Sequence, residues 1–276
     1  MRETAAHEIL FVPQQLSTIQ AALDAASGPT TIVVAPGRYA ESLRVIDKPY
    51  VVIQSARLSR RGVTLSGDGG LAVLSVERST LHLSGIEMRS KARSRGLWAV
   101  SSSISLQECV VAGSYAGEGA DEPYGAGLLC RGSRVRIQKS TVTGNVIDRG
   151  PLPAAAGGGG LFFQDCQVEI AGSTIQANEV YAEGSARGGG VWCERSTLRL
   201  WRSRVTDNAL HGASCEGAGL YFNAPLDCQL GGSVITGNGS PRAHGGGIFV
   251  QGDPARVHIH RNTIVRQNHP TDIDFG

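Results

Sequence analysis

The sequence predicts an all-β fold, a single-stranded right-handed parallel β-helix of about seven to nine coils with a short N-terminal capping helix. The first observation is a repeat whose copies end in an asparagine, with successive asparagines 33, 30, 30 and 30 residues apart. These are Asn145, Asn178, Asn208, Asn238 and Asn268. The second is that glycine, at 37 residues, clusters in short recurring runs. The third is the alternation of apolar and polar residues within each copy, which is typical of strands.

The repeat unit is too small to form a core by itself. Five clear copies begin at Gly125, Gly158, Gly188, Gly217 and Gly245, and two weaker copies begin at Gly70 and Gly96. Each copy reads as about three short strands separated by turn residues. Coils stacked about 4.8 Å apart bury a continuous core and pair every backbone group with the next coil. A β-propeller is the competing all-β repeat, but its blades need about 40 to 50 residues.

One corner of the coil is predicted to hold an internal polar ladder. Alignment of the copies places one residue of each at the turn between the second and third strands. They are Ile86, Cys109, Ser140, Ser173, Ser203, Ser233 and Asn262. Small hydroxyl and amide side chains suit such a turn because they bond the local backbone and each other. We interpret this column as structural.

We expect a single domain over residues 1–276, with an N-terminal cap region at 1–30 and solenoid coils at 31–276. Residues 18–26 have helical spacing, with Ser17 or Thr18 as N-cap, and a strand follows from Thr31. A helix here would cover the open end of the core and protect unpaired strand edges. No equivalent cap is visible at residues 273–276, which favours a short extension or self-association through that end.

The charge pattern argues against two classes of partner. Lysine and arginine number 26 against 24 aspartates and glutamates, and no run of like charges indicates an arm for nucleic acid or membrane. No segment has signal-peptide character or approaches the roughly 18 apolar residues of a membrane span. We therefore expect no nucleic acid and no membrane as partner. The compartment stays open, cytoplasmic if the sequence is complete and secreted if a leader has been removed.

The six cysteines are expected to be reduced core fillers. Cys130 and Cys193 share an inward column but lie two coils apart, about 9.6 Å, which exceeds the roughly 7 Å limit for a disulfide. Cys215 is expected in a loop, and it is the cysteine whose thiol we expect to be reactive.

A family resemblance supports the same fold. The segment STIQAALDAASGPTTIVVAPGRYAESLRV at 17–45, together with the Gly-Gly-Gly-aliphatic repeats, resembles the pectin-lyase-like superfamily of right-handed parallel β-helices. The resemblance covers nearly the whole chain and implies the fold, but that superfamily includes lyases, hydrolases, esterases, epimerases and sugar-binding modules. The NTD, GDD and GHG series of polygalacturonases is missing. Two segments, Gln164-Asp165-Cys166 and residues 272–276, are similar to pectin methylesterase motifs but lie too far apart in this sequence.

Two outward rows are candidates for substrate binding. Strand alternation places one residue of each first strand outward, and most of these residues are aromatic. The candidate substrate-binding residues are the rings of Trp98, Phe162, Trp192, Tyr221 and Phe249 and the polar side chains of Arg131, Gln164, Asn223 and Gln251. Exposed rings about 4.8 Å apart would form a stacking platform for an extended glycan. The alternative is that the long loops before the glycine runs cover the rings as a second small core.

The candidate catalytic residues lie at the margin of the same groove. Alignment by repeat places Tyr124, Gly157, Arg187, Glu216 and His244 side by side on adjacent coils. A cation, an acid and a base there could support proton abstraction beside a carboxylate. For hydrolysis, Glu194 with Glu216 or Asp165 is the best available carboxyl pair. The candidates are therefore Arg187, Glu216, His244 and Glu194, with structural ion pairing as the alternative.

No metal or other cofactor is predicted. Calcium needs several converging carboxylates, and the sequence shows no such cluster. The densest acidic loop, with Glu118, Asp121 and Glu122, is better interpreted as a solvated turn. His258 and His260 lack further ligands at zinc spacing. The sequence thus favours a carbohydrate-directed β-helix that binds or processes an extended, acidic polysaccharide or oligosaccharide, as a lyase, hydrolase or epimerase if it is an enzyme. A non-catalytic binding or scaffold module is the alternative.

Overall fold

The computed structural model describes residues 7–56, 62–90, 94–117, 122–150 and 155–276. Its strands pair in parallel throughout and form an all-β solenoid of about seven coils, with one α-helix. The predicted right-handed parallel β-helix is confirmed.

The elements follow one another with a regular period. The N-terminal part contains β1 (Glu8–Val12), α1 (Ile19–Ala25), β2 (Thr30–Val34), β3 (Gly37–Tyr39), β4 (Leu43–Ile46), β5 (Val51–Ser55) and β6 (Val63–Leu65). The next coils contain β7 (Ala72–Glu77), β8 (Thr80–Ser84), β9 (Ile86–Arg89), β10 (Arg95–Val100), β11 (Ser103–Gln107), β12 (Val110–Ala112) and β13 (Tyr115–Ala116). Two five-stranded coils follow, β14 (Leu128–Arg131), β15 (Arg134–Gln138), β16 (Thr141–Thr143), β17 (Val146–Asp148) and β18 (Ala156–Gly157), then β19 (Leu161–Gln164), β20 (Gln167–Ala171), β21 (Thr174–Gln176), β22 (Glu179–Tyr181) and β23 (Ser185–Arg187).

The C-terminal part continues the pattern. It contains β24 (Val191–Glu194), β25 (Thr197–Trp201), β26 (Arg204–Thr206), β27 (Ala209–His211), β28 (Ser214–Glu216), β29 (Leu220–Asn223), β30 (Asp227–Gly231), β31 (Val234–Thr236) and β32 (Ala243–His244). The last elements are β33 (Ile248–Gln251), a 3-10 turn (Pro254–Arg256), β34 (Val257–Ile259), β35 (Ile264–Arg266) and β36 (Ile273–Phe275).

The strands form five parallel sheets, of which three run along the solenoid and two are confined to its central coils. Sheet A has the order β1-β2-β5-β8-β11-β15-β20-β25-β30-β34, sheet B β3-β6-β9-β12-β16-β21-β26-β31-β35, and sheet C β36-β33-β29-β24-β19-β14-β10-β7-β4. Sheet D (β13-β17-β22-β27) and sheet E (β18-β23-β28-β32) have four strands each. The three strands expected in each copy are those of sheets C, A and B. The long segment before each central glycine run contributes two more, in sheets D and E.

The main core lies inside sheets A, B and C. Alternate residues of every strand point into it, including Cys130, Phe163, Cys193, Phe222 and Val250 of sheet C. A smaller apolar cluster, with Ile147, Val180, Leu210 and Cys215 among its members, lies between sheets D and E. The side lobe formed by sheets D and E therefore has a core of its own.

The predicted polar ladder is confirmed over its central part. The backbone N–H of Ser140 donates to Ser173 Oγ at 3.1 Å. In the same way the N–H of Ser173 donates to Ser203 Oγ at 3.2 Å, and the N–H of Ser203 donates to Ser233 Oγ at 3.1 Å. Asn262, which the prediction included, is exposed and accepts only from the Gly232 N–H.

A second ladder is formed by the asparagines that end each copy, which the sequence analysis used only as markers of the repeat. Their side chains are buried, and the Nδ2 of each of the first four donates to the Oδ1 of the asparagine in the next coil at 2.8 to 2.9 Å, while that of Asn268 donates to Asp272 Oδ1. The backbone N–H of each of the first four asparagines donates to the same oxygen at 3.1 Å. This ladder satisfies the buried amide groups where the chain leaves sheet B.

Two glycines show why the runs recur. Gly188 has φ +55°, a left-handed conformation that glycine adopts without the steric cost of a side chain. At Gly190 a Cβ would lie 2.6 Å from the Gly219 carbonyl oxygen and 3.0 Å from Asn208 Nδ2. The crossing of the chain from sheet E to sheet C therefore requires glycine at the positions of Gly188 and Gly190.

The N-terminal helix caps the core as predicted. Thr18 is the N-cap, and its hydroxyl accepts from the Ala21 N–H at 3.0 Å. Ile19, Ala22 and Leu23 are fully buried against the first coil. Ahead of the helix, β1 pairs with β2 and begins sheet A, a strand that the sequence analysis did not predict.

The cysteine predictions are confirmed except at one position. All six cysteines are free and buried. Cys215 does not lie in a loop: it is the central residue of β28 and is completely buried. Sheet E, which the sequence analysis did not predict, places this side chain inside the side lobe.

No helix in the described part of the chain has the length and apolar character needed to cross a membrane.

Candidate functional site

The candidate site lies where sheet E meets the outer face of sheet C. An isolated β-bridge pairs Tyr124 with Gly157. The strands of sheet E then pair Gly157 with Arg187, Arg187 with Glu216, and Glu216 with His244. The margin column expected from the repeat is therefore present in the structure. Its members occupy sheet E and the segment leading into it.

The aromatic row of sheet C is in the expected register, but it is not an exposed platform. Phe162 pairs with Trp192, Trp192 with Tyr221, and Tyr221 with Phe249. All four side chains are at most 7% exposed, and Trp98 is partly buried against the same cluster. The expectation of exposed ring faces is wrong, and the alternative of a second small core holds.

Sheet E is the reason for this burial. The Trp192 ring packs on Gly157, where a Cβ would lie 2.3 Å from its Cε3 atom. Tyr124 stacks on Phe162 with ring centroids 4.8 Å apart and meets the Trp192 ring edge-on at 5.3 Å. Aromatic pairs in these arrangements stabilise a cluster beyond the area that they bury. The rings thus hold sheet E against sheet C.

Arg187 lies on this aromatic cluster. Its guanidinium carbon is 5.8 Å from the Trp192 ring centroid and 5.4 Å from that of Tyr221, within cation–π range. Its Nε donates to Glu216 Oε2 at 2.7 Å. The two terminal Nη groups form no hydrogen bond with any residue that the structure describes. The side chain is 24% exposed, so this end of the guanidinium is accessible.

Glu194, the carboxylate of the polar row, is held on two sides. It accepts from Gln164 Nε2 at 3.2 Å and is paired with Arg195. Arg195 in turn makes a bidentate pair with Asp165 at 3.0 and 3.1 Å. Only 14% of the Glu194 side chain is exposed. Arg195 was missed by sequence reasoning, although its place at a turn after each sheet C strand follows from the repeat.

The ends of the polar row have other partners. Arg131 pairs with Glu122 Oε1 at 2.6 Å. Gln251 accepts from the Tyr221 hydroxyl, and Asn223 is half-buried between Glu194 and Gln251. Of the acidic loop, Glu118 and Asp121 lie outside the described residues.

His244 lies at the exposed end of the margin column. Its side chain is 69% exposed, and its Nδ1 is 3.5 Å from Asp274 Oδ2 in β36. Residues 272–276, noted for a motif similarity, therefore form the strand next to β33.

Burial raises the pKa of two tyrosine hydroxyls at the site. It raises the pKa of Tyr221 to about 12, with Glu216 and Glu194 contributing and Arg187 opposing. Burial also raises the pKa of Tyr124, again with help from nearby carboxylates. Tyr221 is therefore a protonated hydrogen-bond donor at neutral pH. It is not a ready base.

Within the described ranges, no three His, Cys, Asp or Glu side chains converge as metal ligands would. The arrangement instead offers one cation with free donor groups and two partly buried carboxylates. Such groups can recognise a carboxylate and can transfer a proton near it.

Fold and site together define a parallel β-helix with charged groups lined up along one margin. The family model described as the right-handed β-helix region matches residues 61–264, and the chain belongs to this family. Among the curated proteins, none matches the sequence significantly.

Solved structures to which the chain is similar include a pectin methylesterase from Aspergillus niger in deglycosylated form, at 14% identity and a TM-score of 0.47, covering 100% of this chain and 91% of that one. An alginate lyase from Paenibacillus sp. str. FPU-7 is 12% identical, with a TM-score of 0.44 over 97% of this chain and 99% of that one. Similarity at this level says nothing about the ligand or reaction of this chain.

Proposed function

We propose that the protein binds an extended acidic polysaccharide along the margin between sheets E and C, with Arg187 contacting a sugar carboxylate. The observation that carries this proposal is the state of the Arg187 guanidinium. Glu216 and two aromatic rings hold it in place, while its Nη groups have no partner among the described residues. A planar fork fixed in this way suits a carboxylate better than a neutral hydroxyl.

The neighbouring groups extend the proposal to proton transfer beside the bound carboxylate. Charge neutralisation by Arg187 would favour loss of the proton on the adjacent carbon to a base, Glu216 or His244, as in elimination or epimerisation of a uronate. Tyr221 stays protonated at neutral pH, but it is completely buried and donates to Gln251, so it is not a candidate proton donor to the substrate. Hydrolysis would instead use Glu194 and Glu216 as the carboxyl pair.

The test is a binding screen of acidic and neutral oligosaccharides of matched length, with unsaturated and reducing-end products followed for every ligand. We expect acidic ligands to bind. Arg187→Gln should lower the affinity for them about 10- to 100-fold, the range for the loss of hydrogen bonds to a charged group. Arg187→Lys should recover little, since it keeps the charge but loses the fork. The matched control is Arg78→Gln, which breaks an ion pair with Asp47 elsewhere on the surface.

Glu216→Gln separates binding from turnover. If Glu216 is the base, this variant loses product formation and keeps acidic-ligand binding within a few fold. Equal binding of neutral and acidic ligands, or undiminished binding by Arg187→Gln, contradicts the proposal.

A non-catalytic binding or scaffold module is the second candidate, and two observations favour it. The aromatic row is closed by sheet E, and each candidate carboxylate already has an ion-pair partner. Pairs of this kind between neighbouring coils can serve stability alone. Acidic-ligand binding with no product from any glycan would select this candidate.

A further inference from the structure

The outer face of sheet A, remote from the margin site, contains a notch one coil wide. At its third outward position, successive coils carry Gln138, Ala171, Trp201 and Gly231. Gly172 follows Ala171 at the turn, so this coil has no side chain longer than a methyl group there. Since coils are stacked about 4.8 Å apart, the side chains that flank the notch are separated by about 9.6 Å.

Trp201 forms one wall of the notch and is fixed in place. Its ring lies across Gly231, where a Cβ would be 1.6 Å from Trp201 Cζ3 and 2.0 Å from Cε3. On the far side the His260 ring packs against it, with centroids 5.0 Å apart. The side chain is only half-buried, and its remaining surface lines the notch. A half-exposed, immobilised indole loses little freedom when a ligand packs on it.

The opposite wall and the rim are polar. Gln138 faces Trp201 across Ala171, and Lys139 and Arg202 stand at the turn on either side of Gly172. Both cations are exposed; Lys139 lies 4.0 Å from Glu108 Oε1 on the neighbouring coil, whereas Arg202 forms no ion pair within the described ranges. The notch has a volume of about 490 Å³, enough for a small-molecule unit.

A groove of about 570 Å³ lies beside the notch on the same sheet, over the first two outward positions of the strands. Notch and groove are lined by five lysine or arginine residues and two carboxylates. Arg136 is paired with Glu169 at 2.9 Å, whereas Arg134 and Arg199 have no carboxylate partner in the described chain. The face is therefore cationic although the whole chain is nearly neutral.

We infer that this notch and groove form a second binding site, for a uronate-containing polysaccharide segment, with one sugar ring against Trp201 and its carboxylate between Lys139 and Arg202. The apolar face of a pyranose suits an indole, while its hydroxyls can bond to the Gln138 amide. A strand of nucleic acid is the weaker fit, because such ligands stack on several rings and this column has a single indole. The inference does not depend on the margin site.

The notch can be filled without altering the pattern of the sheet. Ala171→Gln places there the residue that the preceding coil already carries as Gln138, so the coil should still stack. Trp201→Ala removes the wall, and Lys139→Ala with Arg202→Ala removes the rim charges. Arg204→Ala is the matched control, since Arg204 is exposed two residues further on, in sheet B, and has no ion pair within the described ranges.

The experiment is calorimetric titration of the full chain with a uronate oligosaccharide, repeated in an Arg187→Gln background so that the margin site does not contribute. We expect Ala171→Gln and Trp201→Ala each to weaken binding by about tenfold or more, equivalent to about 1.4 kcal/mol, and Arg204→Ala to leave it unchanged. Binding in that background that is insensitive to both changes overturns the inference. So does equal, Trp201-dependent binding of a short single-stranded RNA, which would indicate a general polyanion site. A result in which binding at the margin site fails while binding at the notch persists contradicts the proposed function and leaves this inference intact.

Discussion

Each of the six cysteine thiols lies inside the solenoid or its side lobe. Burial raises the pKa of Cys109 and of Cys166 from 9.0 to about 11. It also raises the pKa of Cys215, and the neighbouring thiol of Cys228 together with burial raises that of Cys193. The reactive species is the thiolate, so burial opposes reaction through both access and ionisation.

We therefore expect the native protein to react very slowly with iodoacetamide at pH 8, and all six thiols to react quickly in denaturant. The sign of the pH effect is fixed by the raised values. Folding favours the protonated thiols, so this part of the stability is present below pH 9 and is lost as the pH rises towards 11. Mass spectrometry of alkylated peptides measures the labelling of each thiol in the native and denatured states, and denaturation at rising pH measures the loss of stability. Rapid native labelling of Cys215 would contradict the burial in β28.

Trp192 and Tyr221 show how a residue can point outward from one sheet and still be buried. Both project from sheet C away from the main core, as the alternation requires. Sheet E then covers them, so their replacement by alanine would remove core packing and cost about 3 to 5 kcal/mol of stability. A loss of ligand binding by such variants would therefore report unfolding and not the loss of a stacking contact.

Two kinds of element hold the coils in register: parallel strands and the polar ladders at the corners between them. Asn208 is fully buried; its Oδ1 accepts from the N–H and Nδ2 of Asn178, and its Nδ2 donates to Asn238 Oδ1. Its Nδ2 also donates to the Ile175 carbonyl, so removing the side chain takes this partner from four buried polar groups on two coils. Each such group costs about 1 to 3 kcal/mol.

We predict that Asn208→Ala lowers the free energy of unfolding by at least about 2 kcal/mol. Urea denaturation followed by circular dichroism measures it. Asn262→Ala is the control, because Asn262 is exposed and accepts a single backbone bond; we expect a change within about 0.5 kcal/mol. Similar losses for both variants would mean that the ladder adds nothing specific.

The helix α1 covers the first coil with three buried side chains. Leu23→Ala should destabilise the protein by about 2 to 5 kcal/mol, the range for buried leucines, and should expose the N-terminal edge to aggregation. Thermal unfolding and light scattering follow the two effects. Asp24→Ala, at the neighbouring exposed position, is the matched control and should change neither by much. An unchanged Leu23→Ala protein would show that the helix does not contribute to the core.

Over the whole molecule, each coil is stabilised mainly by its two neighbours, as in other repeat folds. The coil of β34, β35 and β36 has described neighbours on one side only. Its inward side chains remain partly exposed there, although equivalent residues elsewhere are buried. They are Val257, Ile259, Val265 and Ile273.

Self-association through this end is the resulting prediction. We expect sedimentation velocity to show an oligomer whose fraction grows with protein concentration, and Ile259→Lys to shift the protein towards monomer. Ile264→Lys is the control, since Ile264 points outward and is already 44% exposed. Equal effects of the two lysines, or a monomer at every concentration, would rule out pairing through the inward face.

The sequence by itself determined the coil. The period, the strands of sheets A, B and C, the N-terminal helix, the serine ladder and the alignment of Arg187 with Glu216 and His244 all follow from spacing along the chain. They do so because neighbouring coils are stacked in register, which makes equivalent repeat positions neighbours in space. The tertiary structure alone decided which outward faces remain exposed. Sheet E buries the ring row and Cys215, whereas the outer face of sheet A stays open around Trp201, because burial depends on which distant segment lies above a face.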